Sequence, residues 1–94
     1  MKYLIITTRH KSPVGEKYCM FWGNKESTEG YTPDVRLAHR FSEEELPKAQ
    51  LRGIGDFAIP CYGLGVSEDY VQANPYTCEI VELVTAMEML RDLD

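Results

Sequence analysis

Ninety-four residues, 44% of them hydrophobic and 27% charged, suffice for a single domain over residues 1–94. They exclude a disordered chain, collagen-like repeats and a multi-domain enzyme. A chain of this length buries about two thirds of the surface that its unfolded form exposes, so a modest core forms without metal or disulfides. The net charge of −5 is unevenly placed, with a net +3 over residues 1–40 and −8 over residues 41–94. Folding brings the halves together and cancels part of this asymmetry, although such asymmetry can also mark a binding surface.

The three cysteines, Cys19, Cys61 and Cys78, include no C-x-x-C pair. An odd count in a short chain argues for a reducing compartment rather than a disulfide framework. The apolar run Leu4-Ile5-Ile6 ends at Thr7-Thr8-Arg9-His10-Lys11, before it reaches the length of a signal peptide. No stretch approaches the roughly 20 apolar residues of a membrane span. The expected location is the cytoplasm, without membrane contact.

Lys2 to Lys11 reads as a strand, with Tyr3, Ile5 and Thr7 on one face and Leu4, Ile6 and Thr8 on the other. Ser12-Pro13-Val14-Gly15 is a turn, and Lys17 to Gly23 is a second strand. Together they predict an antiparallel N-terminal hairpin. The polar stretch from Asn24 to Asp34 reads as a loop, and Arg36 to Phe41 as a third strand or a turn of helix. Ser42 with Glu45 forms a capping box that opens a short middle helix over 43–51, with Pro47 confined to its first turn. Asp56 to Tyr62 is a strand that Pro60 places at an edge or ends early. Two readings of the tail stand side by side. One is a single helix from about Pro75 with Ile80, Leu83, Val84, Met87 and Leu90 as its stripe. The other is a strand over Cys78–Val84 followed by a helix over 86–93, capped by Thr85 and Glu88. The single helix is the preferred reading. In either case the fold class is α+β: a small antiparallel sheet of three to four strands with a short middle helix and a C-terminal helix.

Gly53-Ile54-Gly55-Asp56-Phe57-Ala58 has the letters of a dinucleotide fingerprint, but it follows a helix and precedes a strand, the reverse of what phosphate binding requires. His10, His39 and the cysteines lie at no metal-ligand spacing, so no metal or cofactor is expected. Glu43-Glu44-Glu45 reads as an exposed helix start rather than paired catalytic carboxylates. Arg9, His10, Lys11 and Lys17 near Tyr18 and Trp22 form a surface that nucleic acid could use, but an acidic chain without a binding motif disfavours it.

Three segments stand out: Phe21-Trp22-Gly23, then Gly30-Tyr31-Thr32-Pro33-Asp34, then Ala38-His39-Arg40-Phe41-Ser42-Glu43-Glu44-Glu45. This pattern resembles small phage and prophage proteins in which a hairpin ends in Trp-Gly, a Gly-Tyr-Thr loop follows, and an Ala-x-x-Phe segment leads into a capped acidic helix. The resemblance spans residues 2–62, is strongest over 21–45, and is broken by Pro47 and by the tail after Tyr62. It brings no catalytic residues with it. Taken with the small size and the missing catalytic constellations, it leads to the expectation of a small non-enzymatic module that contacts a host macromolecule, with a host protein as the expected partner.

From the residues themselves, Trp22, Tyr31, Arg36 and Arg40 are the candidate binding residues, because aromatic rings beside guanidinium groups make contact hot spots. Anchoring of the loop against the sheet is their other role: Tyr31 would pack on Trp22, and Thr32 and Asp34 would tie the loop locally. The alternative function is small-ligand binding or thiol-dependent catalysis using Cys19, Cys61 or His39. A third reading is a homo-oligomer joined through the tail stripe.

Overall fold

The computed structural model describes residues 1–23, 30–46, 55–70, 74 and 76–93. Its centre is β1 (Lys2–Thr7), whose run of β-branched and large apolar residues suits a strand buried on both faces. One edge of β1 pairs antiparallel along its length with β5 (Asp56–Pro60), from Tyr3↔Pro60 to Thr7↔Asp56. Its other edge is shared. β2 (Met20–Trp22) takes Ile6 and Thr7, and β4 (Phe41–Ser42) takes Lys2 and Tyr3. β3 (Tyr31–Thr32) extends the sheet beyond β2. The antiparallel α+β class read from the sequence is the class observed.

Several element boundaries differ from the sequence reading. β1 stops at Thr7, and twelve residues connect it to β2 instead of a tight turn. The Ser12–Gly15 turn is present inside that connection, closed by the Gly15 amide on the Ser12 carbonyl at 3.2 Å. β3 lies in what reads as pure loop. The Ser42–Glu45 capping box forms reciprocally, at 3.2 and 3.1 Å, over a turn at 43–46. The remainder of the expected middle helix, 47–51, lies outside the described residues.

β5 ends at Pro60 and passes into one turn of helix, α1 (Cys61–Leu64), where a strand to Tyr62 was expected. Gly65 closes that turn with a left-handed φ of +69°, a conformation that costs glycine little. Gly55 enters β5 at φ +87°, and a Cβ there would sit 2.6 Å from the Thr8 hydroxyl oxygen.

The preferred reading of the tail is overturned. The helix α2 runs only over Leu83–Leu93, and residues 77–82 are a strap rather than helix. The cause is pairing: the Val81 carbonyl accepts from the Cys19 amide at 2.8 Å, the Leu83 amide donates to Lys17 at 2.8 Å, and the Glu79 carbonyl accepts from Val35 at 2.9 Å. These tertiary bonds and the β-branched pair Ile80-Val81 prevail over the helical spacing.

The core lies on one face of the sheet. Leu4, Ile6, Phe21 and Ile59 meet Cys19, Val35, Ala38, Cys61 and Ala86, all essentially inaccessible. Leu83, Met87 and Leu90 of α2 pack against it, so most of the tail stripe is used within the chain. Each fully buried Leu, Ile or Phe contributes about 1.5–3 kcal/mol.

Candidate functional site

Side chains alternate across strands, and residues paired in register share a face. Thr7, Asp56, Trp22, Tyr31, Tyr3 and Phe41 therefore occupy the sheet face opposite the core. Asp56 is the charged centre of this face and is fully buried. Its carboxylate accepts from Arg9 Nε at 3.1 Å and Nη2 at 2.9 Å, and from the Trp22 indole N–H at 3.0 Å. Burial works against the Asp56 charge, but Arg9, the Thr7 hydroxyl and Trp22 together hold the carboxyl below its usual range.

Aromatic rings run outward from this centre in both directions. Trp22 meets Phe41 edge-on at 6.1 Å, and Phe41 meets His39 at 4.4 Å. On the other side Tyr31, the cross-strand partner of Trp22, rests on the His10 ring at 4.3 Å. The T-shaped and tilted arrangements are those that aromatic quadrupoles favour.

The row ends in a hydrogen-bonded chain. His39 Nε2 lies 3.0 Å from Glu45 Oε2, and Nδ1 lies 3.0 Å from the Tyr70 hydroxyl. Glu45 is held down to about 2 by His39 first and by the Ser42 amide next. Tyr70 also accepts from the Arg40 amide at 3.1 Å. Neither His39 nor Tyr70 stands out in sequence as part of such a set, because 31 residues separate them.

Three of the four candidate binding residues, Trp22, Arg36 and Arg40, have polar groups committed within the chain. Trp22 and Tyr31 are cross-strand neighbours, but the indole N–H of Trp22 is committed to Asp56. Arg36 grips Asp34 through Nε at 3.0 Å and Nη2 at 2.7 Å, and donates to the Thr77 carbonyl at 2.7 Å. Burial opposes the Asp34 charge, and Arg36 outweighs it and lowers the carboxyl. Arg40, expected at the surface, is only 4% exposed. Its guanidinium donates to the carbonyls of Val35 at 2.6 Å, Ala38 at 2.8 Å and Ser67 at 3.2 Å, so it pins loops from inside. The expected local ties are present: the Asp34 amide donates to the Thr32 hydroxyl at 3.1 Å and the Arg36 amide to Asp34 at 3.0 Å.

Burial pushes the Cys19 thiol up to about 12 and raises Cys61, and the exposed Cys78 is raised as well. Reactive thiolates need the opposite shift. An open cavity of about 240 Å³ lies between Thr7, His10, Ser12 and Tyr18, below the range of sites that enclose drug-sized ligands. Lys11 and Glu16 at its rim pair with each other at 2.8 Å. Among the described residues no group of three acidic, His or Cys side chains is placed to hold a metal, and no helix is long and apolar enough to cross a membrane.

Exposed apolar side chains flank the strap and one lies within it. Tyr76 is 94% exposed, Val84 64% and Ile80 40%, with Leu37 beside Arg36 at 36%. The Glu79 and Val81 carbonyls and the Leu83 amide bond to the body of the protein, and the Ile80 side chain between them is exposed. Searches of protein-family models, curated protein sequences and solved structures give no match to this chain.

Proposed function

We propose that this chain is a small non-enzymatic binding module of phage or prophage type that docks an extended segment of a host protein against the strap at 77–82. The observation that carries this reading is the strap itself, bonded to the body through the Glu79 and Val81 carbonyls, with exposed Ile80 between them and exposed Tyr76 and Val84 to either side in the chain. An open strand edge supplies backbone pairing, and flanking apolar side chains supply selectivity. Glu79 and Glu82, both exposed, favour a segment with basic side chains. Arg36 acts from behind by holding Thr77 in place. The raised thiols support this reading over thiol catalysis.

The test is capture from a nuclease-treated bacterial lysate by the tagged chain and by its Ile80→Lys and Val84→Lys variants. A stoichiometric protein that survives nuclease and is lost with either variant is the expected result. A partner lost on nuclease treatment, or one retained by both variants, contradicts the strap as docking edge.

A further inference from the structure

We propose that Glu45, His39 and Tyr70 form a hydrogen-bonded triad that makes the Tyr70 hydroxyl the acceptor of an activated acyl group. The direction of each bond follows from counting protons. A neutral imidazole carries one N–H, and placing it on Nδ1 would aim the Nε2 lone pair at the Glu45 carboxylate 3.0 Å away. The proton therefore sits on Nε2 and is donated to Glu45. Nδ1 is left to accept, and the Tyr70 hydroxyl 3.0 Å away donates to it. The Arg40 amide donates to the same phenolic oxygen at 3.1 Å, which fixes the hydroxyl proton on the His39 side. Carboxylate, imidazole and hydroxyl are thus ordered as in a nucleophilic triad, with a phenol in the place of the alcohol.

The triad is held from outside as well. Phe41 meets the imidazole edge-on at 4.4 Å, the Ser42 amide fixes the other Glu45 oxygen at 3.1 Å, and the Arg40 guanidinium lies 5.5 Å from the centre of the Tyr70 ring. Tyr70 is 52% exposed, so an external electrophile can reach it.

The surroundings select the electrophile. Glu43, Glu44 and Glu45 lie on one side in the chain, and Glu68 and Asp69 immediately precede Tyr70, all of them exposed. These carboxylates repel a phosphoryl donor carrying several negative charges and tolerate an acyl donor without net negative charge. In the step, the Tyr70 oxygen attacks the carbonyl carbon while its proton passes to His39 Nδ1. Glu45 stabilises the imidazolium through Nε2–H. The tetrahedral adduct then expels the leaving group, which takes the proton back from Nδ1. The products are a Tyr70 ester and the protonated leaving group, with the triad restored.

The probe is N-acetylimidazole, a neutral acyl donor, with phenolic esters located by peptide mass mapping and identified by their removal with hydroxylamine. Tyr76 and Tyr62 are internal controls, being more exposed than Tyr70 at 94% and 58%. Tyr70 is expected to acylate about tenfold faster than either, a modest share of what a positioned general base supplies. His39→Gln and Glu45→Gln should bring its rate down to that of Tyr76. Glutamine preserves the capping box, so Glu45→Gln keeps the turn even if His39→Gln perturbs it. Equal rates at Tyr70 and Tyr76 in the unmodified chain overturn the proposal, as does an unchanged Tyr70 rate in a folded variant.

Discussion

β1 and the strap at 77–82 are both extended segments, yet the sheet treats them in opposite ways. β1 receives β5 along one edge and β2 and β4 along the other, and Leu4, Ile5 and Ile6 within it are inaccessible. The strap bonds to the body through the Glu79 and Val81 carbonyls, and every residue from Tyr76 to Ile80 is exposed. A strand paired on both edges has spent its backbone groups on stability. A strand paired on one edge keeps half of them for something else.

That contrast can be broken most severely at Asp56. Replacing it by alanine leaves the Trp22 indole N–H without its acceptor and removes the anchor of Arg9. Asp56→Ala should lower the unfolding free energy by about 2–3 kcal/mol, measured by urea denaturation. No loss would mean that the closed half does not depend on its buried charge.

A smaller effect is expected where the strap meets the body. Arg36→Ala removes the two bonds to Thr77 and should speed amide exchange at Val35, whose N–H holds Glu79, by about tenfold while β1 amides keep their protection. Faster exchange throughout β1 would show that strap and sheet open as one unit.

The Glu45 turn answers to acid. Its carboxyl is lowered from 4.5 to about 2 by His39 and the Ser42 amide, so its contribution is complete above pH 4.5 and is lost as pH falls through 2. Thermal melts should place Glu45→Gln below the unmodified chain above pH 4.5, with the gap closing toward pH 2. A gap that persists at the acid end would remove the His39–Glu45 contact as its cause.

The smallest effect concerns the thiols. Cys78 on the strap should react with a disulfide reagent in the native state, whereas Cys19 and Cys61 in the core should react only on unfolding. Native labelling of all three would contradict the packing of β2 and α1.

Local rules made much of this molecule legible in the sequence. The alternation in Lys2–Thr7 and Met20–Trp22 marks two strands, and Ser42 with Glu45 marks the capping box that forms. Thr32 and Asp34 are turn residues by chemistry and bond as such. Illegible were the pairings set by distant partners. The stripe from Ile80 to Leu90 fits a helix, but Lys17, Cys19 and Val35 draw its first part into a strap. Arg40 reads as a surface cation because nothing local says that three carbonyls from Val35, Ala38 and Ser67 will surround it. Asp56 hides in a glycine-rich stretch, and its partners Arg9 and Trp22 lie 47 and 34 residues away. His39 and Tyr70 are joined only by the fold.

The strap is the docking edge in the proposed function, and proline at Ile80 probes that role at its centre. Under the proposed docking the partner pairs with the Ile80 backbone, so Ile80→Pro removes the donor that it uses. The variant should melt with the unmodified protein and bind the host protein captured from lysate at least about tenfold more weakly, the loss of a main-chain bond at a paired edge. Undiminished binding by a folded Ile80→Pro chain would rule out the strap as the docking edge and move the contact surface elsewhere.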